Sequence, residues 1–306
     1  MTVIPDAETA AEIKAGEAKR PSRRRDEQAR ASWFVRVSVL LIVLLWTIPT
    51  LGVLVNSFRT SADSSSTGWW TSLFNPLSTD WTLDNYASVL TSGGLLEAFV
   101  NSLIVTIPAT VIPITLAAFA AYGFAWLRFK GRSLLFGIVV ALLVIPLQLG
   151  LVPLLQIYNG TGLTGSFVGI WLAHTGFGLP LAVFLLYGFI SLLPKDLFES
   201  AYIDGATPFT AFIRLVLPLS VPALASFAIF QFLWVWNDFL VALVFLGPSS
   251  DVAVLTIELA SIVGSRGEAY HLLTAAAFVS MLIPLIVFIS LQRYFVRGLL
   301  AGSVKG

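Results

Sequence analysis

Long apolar runs separated by short polar breaks make up most of this chain. Runs of about 20 apolar residues match the thickness of a bilayer rather than the length of an ordinary core helix. Six spans are predicted, at Val37–Val55, Phe99–Leu127, Leu134–Tyr158, Phe167–Leu193, Leu219–Leu246 and Leu272–Tyr294. Between Ser133 and Pro194 there is no Lys, Arg, Asp or Glu. That stretch is too long for one crossing, and Asn159-Gly160-Thr161-Gly162 is the place where it turns. Pro108, Pro113, Pro146, Pro153, Pro180 and Pro284 fall inside the predicted spans. Each removes a backbone donor and kinks its helix, which a membrane bundle tolerates when neighbours satisfy the freed carbonyls.

One interruption, residues 194–220, carries its own pattern. Pro194 opens a short helix, and Gly205 suits the left-handed position just past its end. Thr207 reads as the N-cap of a second short helix, with Pro208 at its first position. Pro218 and Pro222 are expected to end that helix and lead into the fifth span. The result is a helix–glycine–helix elbow at the base of a membrane domain, a small knob for a partner to hold.

Composition agrees with the pattern. Mean hydropathy is +0.87, and only 11% of residues are charged. With no cysteine, disulfides, thiolate nucleophiles and cysteine zinc sites are excluded. The net charge of +1 is uninformative, but sixteen of the eighteen basic residues fall in the N-terminal tail, the second-to-third connection, the elbow and the C-terminus. Only Arg59 and Arg266 lie in the other connections. The positive-inside rule therefore places both termini and the elbow in the cytoplasm. Residues 1–32 read as a disordered cytoplasmic tail, and 33–306 as the transmembrane domain. The first span reads as a retained anchor, because its charged leader is too long for a cleaved signal. Arg23-Arg24-Arg25 is either a topology signal or a holder of anionic headgroups. The outer loops are 58–97 and 247–271. Trp69, Trp70 and Trp81 in the first suit either an interfacial belt or a docking surface for an external protein.

Polar groups inside spans are the candidates for a solute route. They are Asn237, Asp238, His174 and Gln148, with Gln156 and Gln231 beside them. Asp238 lies near the outer end of its span and reads either as a structural cap or as a substrate contact. No G-x-x-x-x-G-K-[ST], H-E-x-x-H or serine-elbow pattern occurs, so no phosphate loop, zinc-protease helix or hydrolase nucleophile is present. One acid near a rim is poor equipment for a proton-coupled carrier. The energy for any pumping must come from another chain.

Glu199-Ser200-Ala201-Tyr202-Ile203-Asp204-Gly205-Ala206, followed by Phe212, Ile213 and Pro218, resembles the EAA loop of ABC-importer permeases. Ser200 stands where the motif has its first alanine. Asn101 to Val105, Ala121 to Ala125, Pro180 to Pro194, Trp236 to Phe239 and the ending Gly298 to Gly306 resemble the carbohydrate branch, which is maltose-type (MalG-like) and alpha-glucoside. The resemblance covers about Val37 to Gly306. It implies an all-α membrane protein of six transmembrane helices with the MetI-like importer architecture, in the cytoplasmic membrane of a prokaryote. It implies a transporter subunit, not an enzyme, moving an alpha-glucoside or maltose-like oligosaccharide. Another sugar, a sugar phosphate or an autonomous ion-coupled carrier are the alternatives. The implied partners are a second homologous permease, two ATPase subunits, an extracytoplasmic sugar-binding protein and membrane lipid, with no nucleic acid. ATP and Mg belong to the ATPase, so no cofactor is implied in this chain. Glu199, Ser200, Ala201, Asp204, Gly205 and Ala206 would couple to the ATPase. The tail Ala301, Gly302, Ser303, Val304, Lys305 and Gly306 would reach between the ATPase subunits.

Overall fold

The computed structural model describes residues 21–92, 94–247, 249–263 and 269–301. The chain divides into two compact units, Met1–Val55 and Asn56–Gly306. The first consists of most of helix α1 (Pro21–Ser57), whose part from Trp33 onward is long and apolar enough to cross a membrane. The described residues of the second form helices joined by short connections, with an isolated antiparallel bridge between Arg59 and Trp81.

Three short helices fold the segment between the first and second spans: α2 (Ser61–Ser66), α3 (Trp69–Phe74) and α4 (Asp84–Ser92). Arg59 organises it. Its buried guanidinium donates to Asn56 Oδ1 at 3.3 Å, Thr67 O at 3.1 Å, Asp63 O at 2.7 Å and Thr67 Oγ1. The two terminal nitrogens of its rigid fork serve these four acceptors. Asn85 adds bonds to the carbonyls of Ser57 and Arg59. The loop is thus a packed structure, not a tether.

The bundle follows: α5 (Leu95–Trp126), α6 (Arg132–Leu142), α7 (Leu147–Thr161) and α8 (Phe167–Ile190). The elbow is α9 (Lys195–Ile203) and α10 (Pro208–Ala211). Then come α11 (Leu217–Trp236), α12 (Leu240–Phe245), α13 (Leu255–Val263) and α14 (Tyr270–Ala301). Helix α5 packs most extensively on α8, and α11 lies against α14, α5 and α8. Ala109, Ala117, Ala121 and Ala182 are fully buried, because small side chains let membrane helices approach closely.

Two expected spans differ from their sequence reading. The third, Leu134–Tyr158, is not one helix: α6 and α7 meet at 101°. Pro146 stands at the N-cap of α7, and without an N–H it cannot continue the ladder from α6. The fifth was expected over Leu219–Leu246. It instead runs as a continuous helical stretch from Pro208 to Trp236 and then breaks. Pro218 does not end the second elbow helix. A π-helical turn at Phe212–Val216, closed by Leu217 N–H to Phe212 O, carries α10 straight into α11. The slack of an i→i+5 turn leaves room for the proline ring. The turn at Asn159–Gly162 is present, with Gly162 at φ +72° capping α7.

Three interior prolines share one solution. Pro108 frees the Ile104 carbonyl, which accepts from Trp171 Nε1 at 2.9 Å. Pro113 frees that of Ala109, which accepts from Gln231 Nε2 at 3.1 Å. Pro284 frees that of Ser280, which accepts from Trp236 Nε1 at 3.2 Å. Each kinked helix is thereby tied to a neighbour by the very group its proline orphaned.

Candidate functional site

The elbow is built as its sequence dictates. Helix α9 ends in a paired cap, with Ala206 N–H on Ala201 O at 2.9 Å and Gly205 N–H on Tyr202 O at 3.1 Å. That pairing needs a left-handed residue between, and Gly205 has φ +83°. Thr207 Oγ1 then accepts from Thr210 N–H at 3.2 Å, with Pro208 at the first position of α10. Of the residues picked out by sequence, Glu199, Ser200, Asp204 and Gly205 are exposed, while Ala201 and Ala206 are half-buried. A Cβ built on Gly205 meets nothing within 4 Å, so the surface there is open.

Of the rings that fix the elbow, Tyr122, Tyr202 and Phe212 fall within the motifs quoted from sequence, but their anchoring role was not read there, and Phe198 and Trp126 were not singled out. Phe198 is the one buried side chain of α9. Its ring stacks on Trp126 of α5 with centroids 3.8 Å apart. Phe212 lies between Phe119, at 4.4 Å, and Tyr122, at 5.5 Å. Tyr122 Oη donates to Pro208 O at 3.0 Å and accepts from Tyr202 Oη at 3.3 Å. The spacing Phe198–Tyr202 marks one helix face, which is the signal that could have identified the anchored side.

The intramembrane candidates do not form one constellation. Asp238 and His174 come together, with Nε2 to Oδ2 at 3.7 Å, too far for a hydrogen bond. Asp238 caps α12: Oδ1 accepts from Val241 N–H at 3.2 Å and Oδ2 from Ala242 N–H at 2.9 Å. Its carbonyl accepts from Thr256 Oγ1 at 2.6 Å. His174 is buried edge-on to Trp234, and neither ring nitrogen has a hydrogen-bond partner among the described residues. A void of about 10 Å³ lies among Ser102, Thr106, His174 and Asp238, room for a single water. Asn237 is exposed and bonds its own helix at Leu233 O. Gln148 is exposed on α7, and Gln156 with it. Gln231 is committed to Ala109. A larger cavity of about 380 Å³ at the α6–α7 bend is lined by residues such as Ile145, Pro146, Phe177 and Pro180. No charged side chain among the described residues lines it. Of the tail, Ala301 ends α14, and Gly302 to Gly306 lie outside the described residues.

Comparison with known proteins agrees with this architecture. Residues 113–300 match the family model described as the binding-protein-dependent transport system inner membrane component. An osmoprotective compounds uptake permease of Synechocystis is 57% identical over 89% of this chain and 91% of its own length. An alpha-glucoside transport system permease of Rhizobium meliloti is 43% identical over 94% of this chain and 99% of its own. Among solved structures, a bacterial ABC transporter involved in import of the polysaccharide alginate shares the fold at a TM-score of 0.73. It is 18% identical, over 88% of this chain and 98% of that one. An exposed elbow on a kinked helical bundle, matched over most of the length of these relatives, has one family behind it: this chain belongs to the inner membrane components of binding-protein-dependent transport systems, as a multi-pass permease subunit rather than an enzyme.

Proposed function

We propose that the chain is one half of the pore of an ATP-driven importer for an alpha-glucoside or maltose-like oligosaccharide. It is coupled through Glu199–Ala206 to a separate ATPase that holds the ATP and Mg. A second homologous permease supplies the other half, and an extracytoplasmic binding protein delivers the sugar. The observation that carries this reading is the elbow: its inner face is anchored, while Glu199, Ser200, Asp204 and Gly205 are left open. Close approach at a glycine and two exposed carboxylates suit a cleft with basic groups. The charge asymmetry of sixteen to two supports a cytoplasmic elbow and cytoplasmic termini. An ion-coupled carrier fits less well, because Asp238 is engaged as a helix cap.

A second reading for the solute is an osmoprotective compound, favoured by the relative at 57% identity. Co-purification with the binding protein, followed by calorimetry against both solute classes, decides between them. Tight binding of neither an alpha-glucoside nor an osmoprotective compound would remove both. The tail Ala301–Gly306 is proposed to dock between the ATPase subunits. Deleting it should lower stimulated ATP hydrolysis by less than a change at Gly205 does, and full-rate transport without it would refute the docking.

A further inference from the structure

The elbow is joined in sequence to α8 on one side and α11 on the other, yet its side chains are held by a third helix. We propose that Trp126 and Tyr122, at the inner end of α5, are positioning residues for coupling, making the elbow and α5 move as one body.

Six contacts converge on this end of α5. Trp126 stacks on Phe198 with an interplanar angle of 20°, and its Nε1 donates to Ile190 O at 2.9 Å. Ile190 is the last residue of α8, and Pro194 cannot supply its carbonyl with the next helical donor. Tyr122 spends its one hydroxyl hydrogen on Pro208 O, so Tyr202 is the donor in the contact between the two tyrosines. Phe212, inside the π-helical turn, is flanked by Phe119 and Tyr122. About two turns of α5, Phe119 to Trp126, thus touch α8, α9, α10 and the π-helical turn. Phe198, Phe212, Tyr122 and Ala121 are all buried in one apolar cluster.

The mechanical consequence follows from packing. Stacked rings resist sliding and tilting more than aliphatic contacts of the same area, since their quadrupoles favour one offset geometry. A displacement of α9 by a partner therefore reaches α5 directly. Without the stack the direct links that remain between the elbow and α5 are the Tyr122 hydroxyl contacts and the rings around Phe212 in the π-helical turn. At its other end α5 carries Ser102, which accepts from Leu255 N–H at 2.8 Å, so movement of α5 is felt at the start of α13.

The inference rests on the elbow being the coupling element, and the experiment separates the two. The complex is isolated with its own partner permease, ATPase and binding protein, and ATP hydrolysis is measured with and without sugar-loaded binding protein. Trp126→Leu should leave complex yield and basal hydrolysis unchanged. It should lower the stimulated-to-basal ratio about fivefold, the value of one lost aromatic pair, with transport falling in step. Trp126→Phe should restore most of it. Tyr122→Phe, which keeps the ring and removes only the bonds to Pro208 and Tyr202, should lower the ratio about twofold. A normal ratio in Trp126→Leu, beside a dead Gly205→Trp, overturns the role of α5 while leaving the elbow as the coupling element. A normal ratio in Gly205→Trp overturns the coupling reading itself. If Trp126→Leu fails to assemble, Tyr122→Phe decides: an unchanged ratio there overturns the proposal, and a lowered ratio at normal yield supports it.

Discussion

Gln231 donates to the carbonyl of Ala109, 3.1 Å away, which Pro113 leaves without its helical partner. The contact crosses from α11 to α5, and Gly178 of α8 makes room for it. A Cβ at position 178 would lie 2.7 Å from Gln231 Oε1. Three spans therefore meet at one amide. Gln231→Leu should cost about 1 kcal/mol, in line with interhelical hydrogen bonds in membranes. In a Pro113→Ala background the cost should shrink, because an alanine there would return the missing N–H. Thermal unfolding of the purified complex for the four members of that cycle checks it, and additivity would mean that the two residues are not coupled. Gly178→Ala should be worse, at about 1–3 kcal/mol, through overpacking.

Gly205 is the second test. Its φ of +83° disfavours any side chain, so Gly205→Ala should already weaken the cap of α9 by about 1 kcal/mol. Gly205→Trp adds a ring to a surface that no described residue of this chain occupies. Folding and insertion should survive, while uptake and stimulated hydrolysis fall at least about tenfold, the consequence of about 1.4 kcal/mol lost from the coupled state. Near-normal stimulated hydrolysis in the reconstituted variant would rule out a close contact at the elbow.

The elbow was the most legible part of the chain, because glycine, threonine and proline act through their own backbones. Gly205, Thr207 and Pro208 stand in the turn they announce. The Asn159–Gly162 turn was readable for the same reason. The breaks at Pro146 and at Asn237–Phe239 were not. A proline in a hydrophobic run reads as a kink whether it bends a helix gently, as Pro113 does within α5, or separates two helices at 101°. At Pro108, Pro113 and Pro284 a neighbour's side chain reaches the freed carbonyl, and that is a tertiary fact. The anchoring role of Trp126 and Tyr122 was hidden likewise, since an aromatic residue at the end of a span also suits an interfacial belt.

Topology gives a third expectation. A reporter inserted near Lys195 should register cytoplasm, and one near Ser65 or Ser249 the outside. The basis is the sixteen-to-two distribution of basic residues. Arg59, one of the two expected outside, does not weaken the argument: it is buried and spent on four acceptors in its own loop and at the end of α1. A cytoplasmic signal at Ser65 would invert the arrangement and place the elbow on the wrong face for any ATPase.

Asp238 separates a route from a cap. Both carboxylate oxygens are taken by the first free N–H groups of α12, and the nearest side chain of opposite character, His174, stays at 3.7 Å. An asparagine can keep one of those bonds, as asparagine and aspartate cap helices about equally well, whereas alanine keeps none. Asp238→Asn should therefore unfold near the wild-type temperature. Asp238→Ala should lose about 1 kcal/mol, a drop of about 2–4 °C for a protein of this size. Neither should alter the preference between two transported sugars, because both oxygens of this carboxylate are held by the backbone of α12. The measurement is the ratio of uptake rates for two sugars at matched complex yield. A shift in that ratio in Asp238→Asn, with unfolding unchanged, would show that the cap opens during transport and that Asp238 meets the solute.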